Sequence, residues 1–399
     1  MGLNDTPSGV RVHIGFFGKR NAGKSSIVNA VTGQNLSVVS DVLGTTTDPV
    51  SKSMELLPMG PVTVIDTPGF DDLGELGTLR VQQTRRVLEK TDVAVLVTDG
   101  TEEKSQTEAE LISLFKERNI PYIIAVNKSD LSGFHGGNAE NEIAVSAKTK
   151  SGIFELKEKI AALSPKEAEN TRIISDKITP GSVVVLVTPI DAAAPKGRMI
   201  LPQQQTMRDV LDYGSIPVLC REFELEQTLN ALKNPPAMVI TDSQAFGVVS
   251  KIVSESVPLT SFSILFARFK GYLEGAVKGA FALEKLQGGE KILISEGCTH
   301  HRQCGDIGTV KLPNWIKNFT GKEFEFEFTS GGTFPDDLAP YALVVHCGGC
   351  MLNAREVTSR MHRAEAAGVP MTNYGVLIAH IHGILKRSLS VFPELLEEL

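Results

Sequence analysis

Residues 12–31 constrain this chain more than any other stretch. Val12-His13-Ile14-Gly15-Phe16-Phe17 reads as a buried strand, and Ile27-Val28-Asn29-Ala30-Val31 reads as a helix. Between them stands Gly18-Lys19-Arg20-Asn21-Ala22-Gly23-Lys24-Ser25, a glycine-bearing turn that closes on Lys-Ser. Strand, GxxxxGK plus Ser or Thr, then helix is the context in which backbone N–H groups wrap phosphate oxygens. The helix aims its positive end at the same point. Asn21, Ala22, Gly23, Lys24, Ser25 and Ser26 are the candidate phosphate contacts. Lys24 is expected to reach the β and γ phosphates, and Ser25 to ligate Mg2+. The N-terminal part is therefore expected to be an α/β P-loop domain.

The rest of a nucleotide site follows in chain order. Val62-Thr63-Val64-Ile65 runs into Asp66-Thr67-Pro68-Gly69. Asp66 is expected to hold Mg2+ through water, and the Gly69 amide to sense the γ phosphate. Tyr122-Ile123-Ile124-Ala125-Val126 delivers Asn127-Lys128-Ser129-Asp130. A carboxylate such as Asp130 can accept both the ring N–H and the exocyclic amine of guanine, a donor pair that adenine lacks. Ser146-Ala147-Lys148 supplies a further base contact. This set resembles the translation-factor-type small GTPases over about residues 10–165, which implies GTP and GDP as ligands.

Two departures from that pattern are informative. Phe70 stands where many GTPases place a Gln that orients the attacking water, and an apolar side chain cannot do so. Asn21 and the segment Gly44-Thr45-Thr46-Thr47-Asp48 resemble the potassium-activated GTPases of the tRNA-modification and ribosome-assembly branch. That resemblance implies that Asn21 helps bind K+, which supplies charge in place of an arginine finger; the alternative is that Asn21 only caps the loop. Thr46 is the expected Mg2+ ligand of the switch, with Thr45 as its rival. Lys24, Thr46 and Gly69 are the candidate catalytic residues.

At 399 residues the chain is too long for one ordinary core. Ser164-Pro165-Lys166-Glu167-Ala168-Glu169-Asn170 is polar and proline-bearing, so a boundary is expected there. Beyond it, runs such as Val183-Val184-Val185-Leu186-Val187 and Met238-Val239-Ile240 alternate with helical stretches. Val257-Pro258-Leu259-Thr260-Ser261-Phe262 recurs in outline as Val369-Pro370-Met371-Thr372-Asn373-Tyr374, and both copies reach a glycine at one offset, Gly271 and Gly383. This predicts that residues 175–270 and 285–399 are two copies of one α/β unit. On that alignment Cys347 and Cys350 match Asp242 and Ala245.

A formal charge of −7 gives no electrostatic case for nucleic acid as the main partner. No apolar run approaches the roughly 18–20 residues of a membrane span, and Met1 to Arg11 lacks the apolar core of a signal peptide. A cytoplasmic chain with no nucleic-acid or membrane partner is expected. Five cysteines, Cys220, Cys298, Cys304, Cys347 and Cys350, are odd in number and crowd the C-terminal region, unlike a disulfide framework. Cys220 follows apolar residues and reads as a small buried hydrophobe.

Lys291-Ile292-Leu293-Ile294 and Ala342-Leu343-Val344-Val345 read as strands, running into Glu296-Gly297-Cys298-Thr299-His300 and His346-Cys347-Gly348-Gly349-Cys350. In a parallel sheet ligands bind past the carboxyl ends of strands, so neighbouring strands would bring Cys298, Cys347 and Cys350 together. Spacing alone leaves three readings open: zinc with three Cys and one His, an iron–sulfur cluster on three thiolates, or a dithiol switch.

A GTPase followed by Cys298-Thr299-His300, a long gap and His346-Cys347-Gly348-Gly349-Cys350 resembles the HydF family, the [FeFe]-hydrogenase maturation GTPases, over the full chain. The resemblance implies three domains: GTPase (1–170), dimerisation (171–270) and cluster binding (271–399). It implies a [4Fe-4S] cluster on Cys298, Cys347 and Cys350, with Glu296, His346 and His300 as candidates for the fourth position or for support around it. It further implies a homodimeric scaffold that receives a diiron precursor made with radical-SAM hydrogenase maturases and delivers it to apo-[FeFe]-hydrogenase. The competing expectation is a zinc-stabilised regulatory GTPase of tRNA modification or ribosome assembly.

Overall fold

The computed structural model describes residues 7–34, 49–69, 75–137, 139–165, 172–189, 199–297 and 306–396. The chain is α/β throughout and divides into two compact units, Met1–Ala168 and Glu169–Leu399.

The first unit runs β1 (Val12–Gly18), α1 (Lys24–Thr32), β2 (Val50–Leu56), β3 (Gly60–Asp66), α2 (Glu75–Lys90), β4 (Val93–Asp99), α3 (Gln106–Glu117), β5 (Tyr122–Asn127), β6 (Glu142–Ala144) and α4 (Ile153–Leu163). Its six-stranded sheet has the order β2-β3-β1-β4-β5-β6 and is parallel except for the edge pair β2–β3. β1, β4 and β5 are near-continuous apolar runs because helices cover both faces. Phe16 packs on one side with Ile27 and Ile160, and Phe17 on the other with Leu88 and Phe115. α3 starts sharply because Ser105 and Glu108 form a reciprocal cap, the Ser hydroxyl on the Glu108 N–H and the Glu carboxylate on the Ser105 N–H.

The second unit opens with β7 (Val183–Val187), α5 (Leu201–Asp212), β8 (Ile216–Cys220), α6 (Leu225–Ala231), β9 (Met238–Thr241), α7 (Phe246–Ile252), β10 (Leu259–Ser261), α8 (Phe262–Phe269) and α9 (Leu273–Phe281). It continues with β11 (Lys291–Glu296), α10 (Leu312–Thr320), β12 (Glu325–Ser330), β13 (Leu343–His346), α11 (Ala354–Ala366), β14 (Met371–Asn373), α12 (Tyr374–Ile381) and α13 (Leu385–Ser388). Two four-stranded parallel sheets result, ordered β8-β7-β9-β10 and β12-β11-β13-β14. Both are second-first-third-fourth, the topology expected of a duplication. The details repeat as well. Thr241 pairs with Val187 and Ser261, as His346 pairs with Ser295 and Asn373. Ser261 and Asn373 cap the next helix through the N–H groups of Ile264 and Val376. Gly271 and Gly383 both follow in the left-handed region, φ 80° and 71°.

The two halves exchange helices. α9 leaves the first half and packs on β14 of the second, where Thr372 Oγ1 donates to Ala276 O at 2.7 Å. α13 leaves the second half and packs on β10 of the first, and Arg387 donates to the carbonyls of Ser250, Val253 and Ser254. One continuous apolar core therefore runs from Ile173 to Phe392, through both sheets. β12 goes unclaimed by sequence reasoning, although Glu325-Phe326-Glu327-Phe328 carries the period-two alternation of a half-exposed strand.

Candidate functional site

The P-loop closes against the end of β3. Parallel pairing of β1 and β3 brings Phe16 level with Asp66, and Thr67 Oγ1 locks the strand end by donating to Phe16 O at 2.7 Å. Lys24 Nζ then lies 2.7 Å from Asp66 Oδ1, and Ser25 Oγ 2.8 Å from Asp66 Oδ2. Lysine, hydroxyl and carboxylate form one buried polar group at the N-terminus of α1. Asn21 and Gly23 adopt the left-handed region, φ 63° and 85°. A side chain at position 23 would put its first carbon 2.2 Å from Asn127 Nδ2, so only glycine fits. Gly69 also lies against the loop, since a carbon there would stand 2.8 Å from the Arg20 nitrogen.

Asn127 joins the loops. Its Nδ2 donates to Ala22 O at 2.9 Å and its Oδ1 accepts the Ala147 N–H at 3.1 Å. Ser146 Oγ donates to Asp130 Oδ1 at 2.7 Å, and that bond holds the Asp130 carboxyl below the usual carboxylate range. Lys128, with φ 68°, pairs with Asp99, and Lys148 is exposed near Asp130. Ser26 sits half-buried on the first turn of α1. The structure thus gathers Ala22, Gly23, Lys24, Ser25, Asp66, Asn127, Asp130, Ser146 and Ala147 at one edge of the sheet. Thr46 and Phe70 lie outside the described residues.

The second constellation sits past β13. β11 and β13 are parallel neighbours, Ser295 opposite His346, so their carboxyl ends share one edge. Cys347 is hydrogen-bonded twice at sulfur, by the Gly297 N–H at 3.1 Å and the Gly349 N–H at 3.3 Å. Gly349 permits this turn with φ 60°. Burial pushes both the Cys347 and Cys350 thiols up; the two N–H bonds oppose that at Cys347, and the Lys270 ammonium opposes it at Cys350. Both thiols are free. Two backbone N–H groups aimed at one sulfur would also suit a deprotonated Cys347 that held a metal or cluster.

His346 is fully buried with both ring nitrogens engaged, Nδ1 with Cys347 O at 2.7 Å and Nε2 with Arg360 NH1 at 3.0 Å. Burial and the Arg360 charge push it down to about 3, so it is neutral. This geometry suits support of the Cys347 turn rather than direct ligation. Glu296, 3% exposed, accepts from Tyr374 OH at 3.3 Å and lies near Cys347. Cys298, His300 and Cys304 lie outside the described residues; the described chain reaches Gly297, whose N–H is already on Cys347. Among the described residues no three His, Cys, Asp or Glu converge closely enough to hold a metal ion. Sequence reasoning misses Arg360 and Lys270, because Arg360 reaches His346, and Lys270 the carbonyls of Gly349 and Leu352, only through tertiary packing. Cys220, at the end of β8, is buried with its thiol pushed up by burial.

Comparison with known proteins covers most of the chain. Residues 13–128 match the family described as 50S ribosome-binding GTPase. Residues 173–271 match the hydrogen maturase F dimerization domain, and residues 274–391 its tetramerization domain. The tRNA modification GTPase MnmE of Endomicrobium trichonymphae is 35% identical over 165 residues, 39% of this chain and 36% of that protein. GTPase Der of Wolinella succinogenes is 34% identical over 174 residues, 40% of this chain and 36% of that one. The chain thus spans about a third of the length of each relative. A structure of Aquifex aeolicus Era bound to GDP and AlF4− covers 60% of this chain and 99% of its own, at 19% identity and a TM-score of 0.35. No helix among the described residues is long and apolar enough to cross a membrane. The chain carries a GTPase domain and, behind it, two domains that mediate oligomerisation. With a GTPase domain in front of both hydrogen maturase F modules, this chain belongs to the HydF family.

Proposed function

We propose that this chain hydrolyses GTP and serves as a scaffold that binds a [4Fe-4S] cluster, accepts a diiron precursor and delivers it to apo-[FeFe]-hydrogenase. The observation that carries the cluster assignment is the half-buried Cys347, its sulfur held by two backbone N–H groups where β11 and β13 end side by side. Cys347, Cys350 and Cys298 would hold the cluster, and Glu296 is the candidate for the fourth position. His346, bonded to Cys347 O and Arg360, orients the turn, and His300 is assigned to support around the site. The cluster, when bound, supplies an iron with a non-cysteine ligand at which an incoming group can be accepted.

In the GTPase domain, Lys24 binds the β and γ phosphates, Asp130 reads the guanine edge, and Asn127 keeps the P-loop and the Ser146–Lys148 turn in register. Ser25, Thr46 and Asp66 would hold Mg2+, and Asn21 would hold K+, together supplying positive charge at the phosphates. The Gly69 amide senses the γ phosphate and reports its loss. Residues 1–170 are assigned to turnover, 171–270 to dimerisation and 271–399 to the cluster. Radical-SAM maturases and apo-hydrogenase are the partners, in the cytoplasm. Anaerobic reconstitution followed by iron, sulfide and zinc assays tests the reading. Near-stoichiometric iron and sulfide, lost in Cys347→Ser and Cys350→Ser, is the expected result; stoichiometric zinc without sulfide would favour a zinc-stabilised regulatory GTPase.

A further inference from the structure

Lys270 closes α8 in the first half of the second unit, yet its ammonium serves the second half. It is 5% exposed, and Nζ lies 2.6 Å from Gly349 O and 2.8 Å from Leu352 O, on either side of Cys350. Both acceptors are neutral carbonyls. Burying an ammonium without a counter-charge is costly. The groups that face it and can carry negative charge are Cys350 and Cys347, once deprotonated, and the carboxylate of Glu356. Glu356 is already bonded to Arg360 at 2.9 Å. Among the described residues no carboxylate is bonded to Lys270, and a cluster assembled on the two sulfurs would match its charge.

The duplication supplies an independent comparison. His382 holds the position of Lys270 in the other copy, since the Lys270 and His382 N–H groups bond the carbonyls of Phe266 and Ile378, and Gly271 and Gly383 follow. His382 faces the edge of Trp315 instead, with ring centroids 5.8 Å apart. The loop of the first half that corresponds to the thiol turn carries Asp242 and Ala245 in place of the cysteines. In the opposite direction the half-buried Lys311 reaches Gln244 Oε1 of that loop at 3.4 Å, so among the described residues Lys270 is set apart by its deep burial and its two carbonyl acceptors beside the cysteines.

We propose that Lys270 is a positioning residue of the thiol site: it pins the Cys347–Cys350 turn through two carbonyls and offsets the negative charge of the cluster held there. The dimerisation half thus supplies part of the cargo site. This inference rests on the iron–sulfur reading. Full-length wild type, K270R, K270M and K270Q are reconstituted anaerobically with ferrous iron and sulfide. Iron and sulfide content, midpoint potential by EPR-monitored titration and melting of the metal-free chains are then measured. K270R is expected to load and to keep the wild-type potential. K270M is expected to load severalfold less, or to hold its cluster at a more negative potential, because removing a cation disfavours the added electron. If K270M does not melt cooperatively, K270Q carries the comparison, since it keeps a donor for one carbonyl without the charge. Uncharged variants that load fully at an unshifted potential overturn the inference alone. A wild-type chain that takes up no iron or sulfide overturns the cluster reading and the inference together.

Discussion

Asn127 touches the P-loop and the Ser146–Lys148 turn at once, and Ser146 holds Asp130 ionised toward the base. On the proposed reading, specificity for guanine rests on one carboxylate, Asp130, held by a short chain of hydrogen bonds. Replacing Asp130 by Asn swaps one acceptor oxygen for an N–H donor, which clashes with guanine and matches the carbonyl that xanthine carries at the same place. GTP affinity is expected to fall roughly tenfold or more, with loss of a charge-assisted bond, and xanthosine triphosphate affinity to rise. Competition binding against a fluorescent guanine nucleotide measures both. At Asn21, which adopts the left-handed backbone, the proposed K+ contact predicts hydrolysis faster in KCl than in NaCl and loss of that difference in Asn21→Ala. Equal wild-type rates in the two salts would remove the potassium site.

Two helices decide how the second unit holds together. α9 lies so close to β14 that a carbon on Gly279 would stand 2.1 Å from Met371 O. Gly279→Ala is expected to cost about 1–3 kcal/mol through overpacking, read as a lowered denaturation midpoint. α12 carries His380, its ring against Phe281 and close to Glu284, and is capped by His382, which lies against Trp315. Burial lowers both from their ordinary value of 6.5, with Glu284 opposing the shift at His380. The unfolded chain therefore binds these protons first as the pH falls. The stability they permit is full above about 6.5 and is lost as the pH drops through 6.5 toward the folded values. Melting curves between pH 7.5 and 5.5 should show the second unit weakening with acid, less steeply in the double variant His380→Gln/His382→Gln.

At the scale of the whole molecule, the break after Ala168 separates two compact units, and the halves on either side of 270/271 share one continuous core. Chains divided at 168/169 are expected to give two cooperatively folding pieces by circular dichroism. Division at 270/271 is expected to give aggregating pieces, because α9 and α13 each complete the other half's sheet. A shared core also explains how Lys270, at the end of the first half, can reach the cysteine turn of the second.

The sequence by itself determined the P-loop domain, the duplication and the cysteine turn, and marked Asp130 as the candidate guanine contact, because each is a local pattern. A glycine spacing, a strand running into a polar loop and a repeated Val-Pro segment all act over a few residues, and backbone geometry fixes their consequences. Only the tertiary structure decided which groups surround the thiols. The Gly297 N–H, Arg360 behind His346 and the Lys270 ammonium come from separate elements, brought together by parallel pairing of β11 with β13 and by the exchange of helices between the halves. Such contacts depend on how sheets pack, and packing leaves no periodic mark in the chain that a spacing argument can detect.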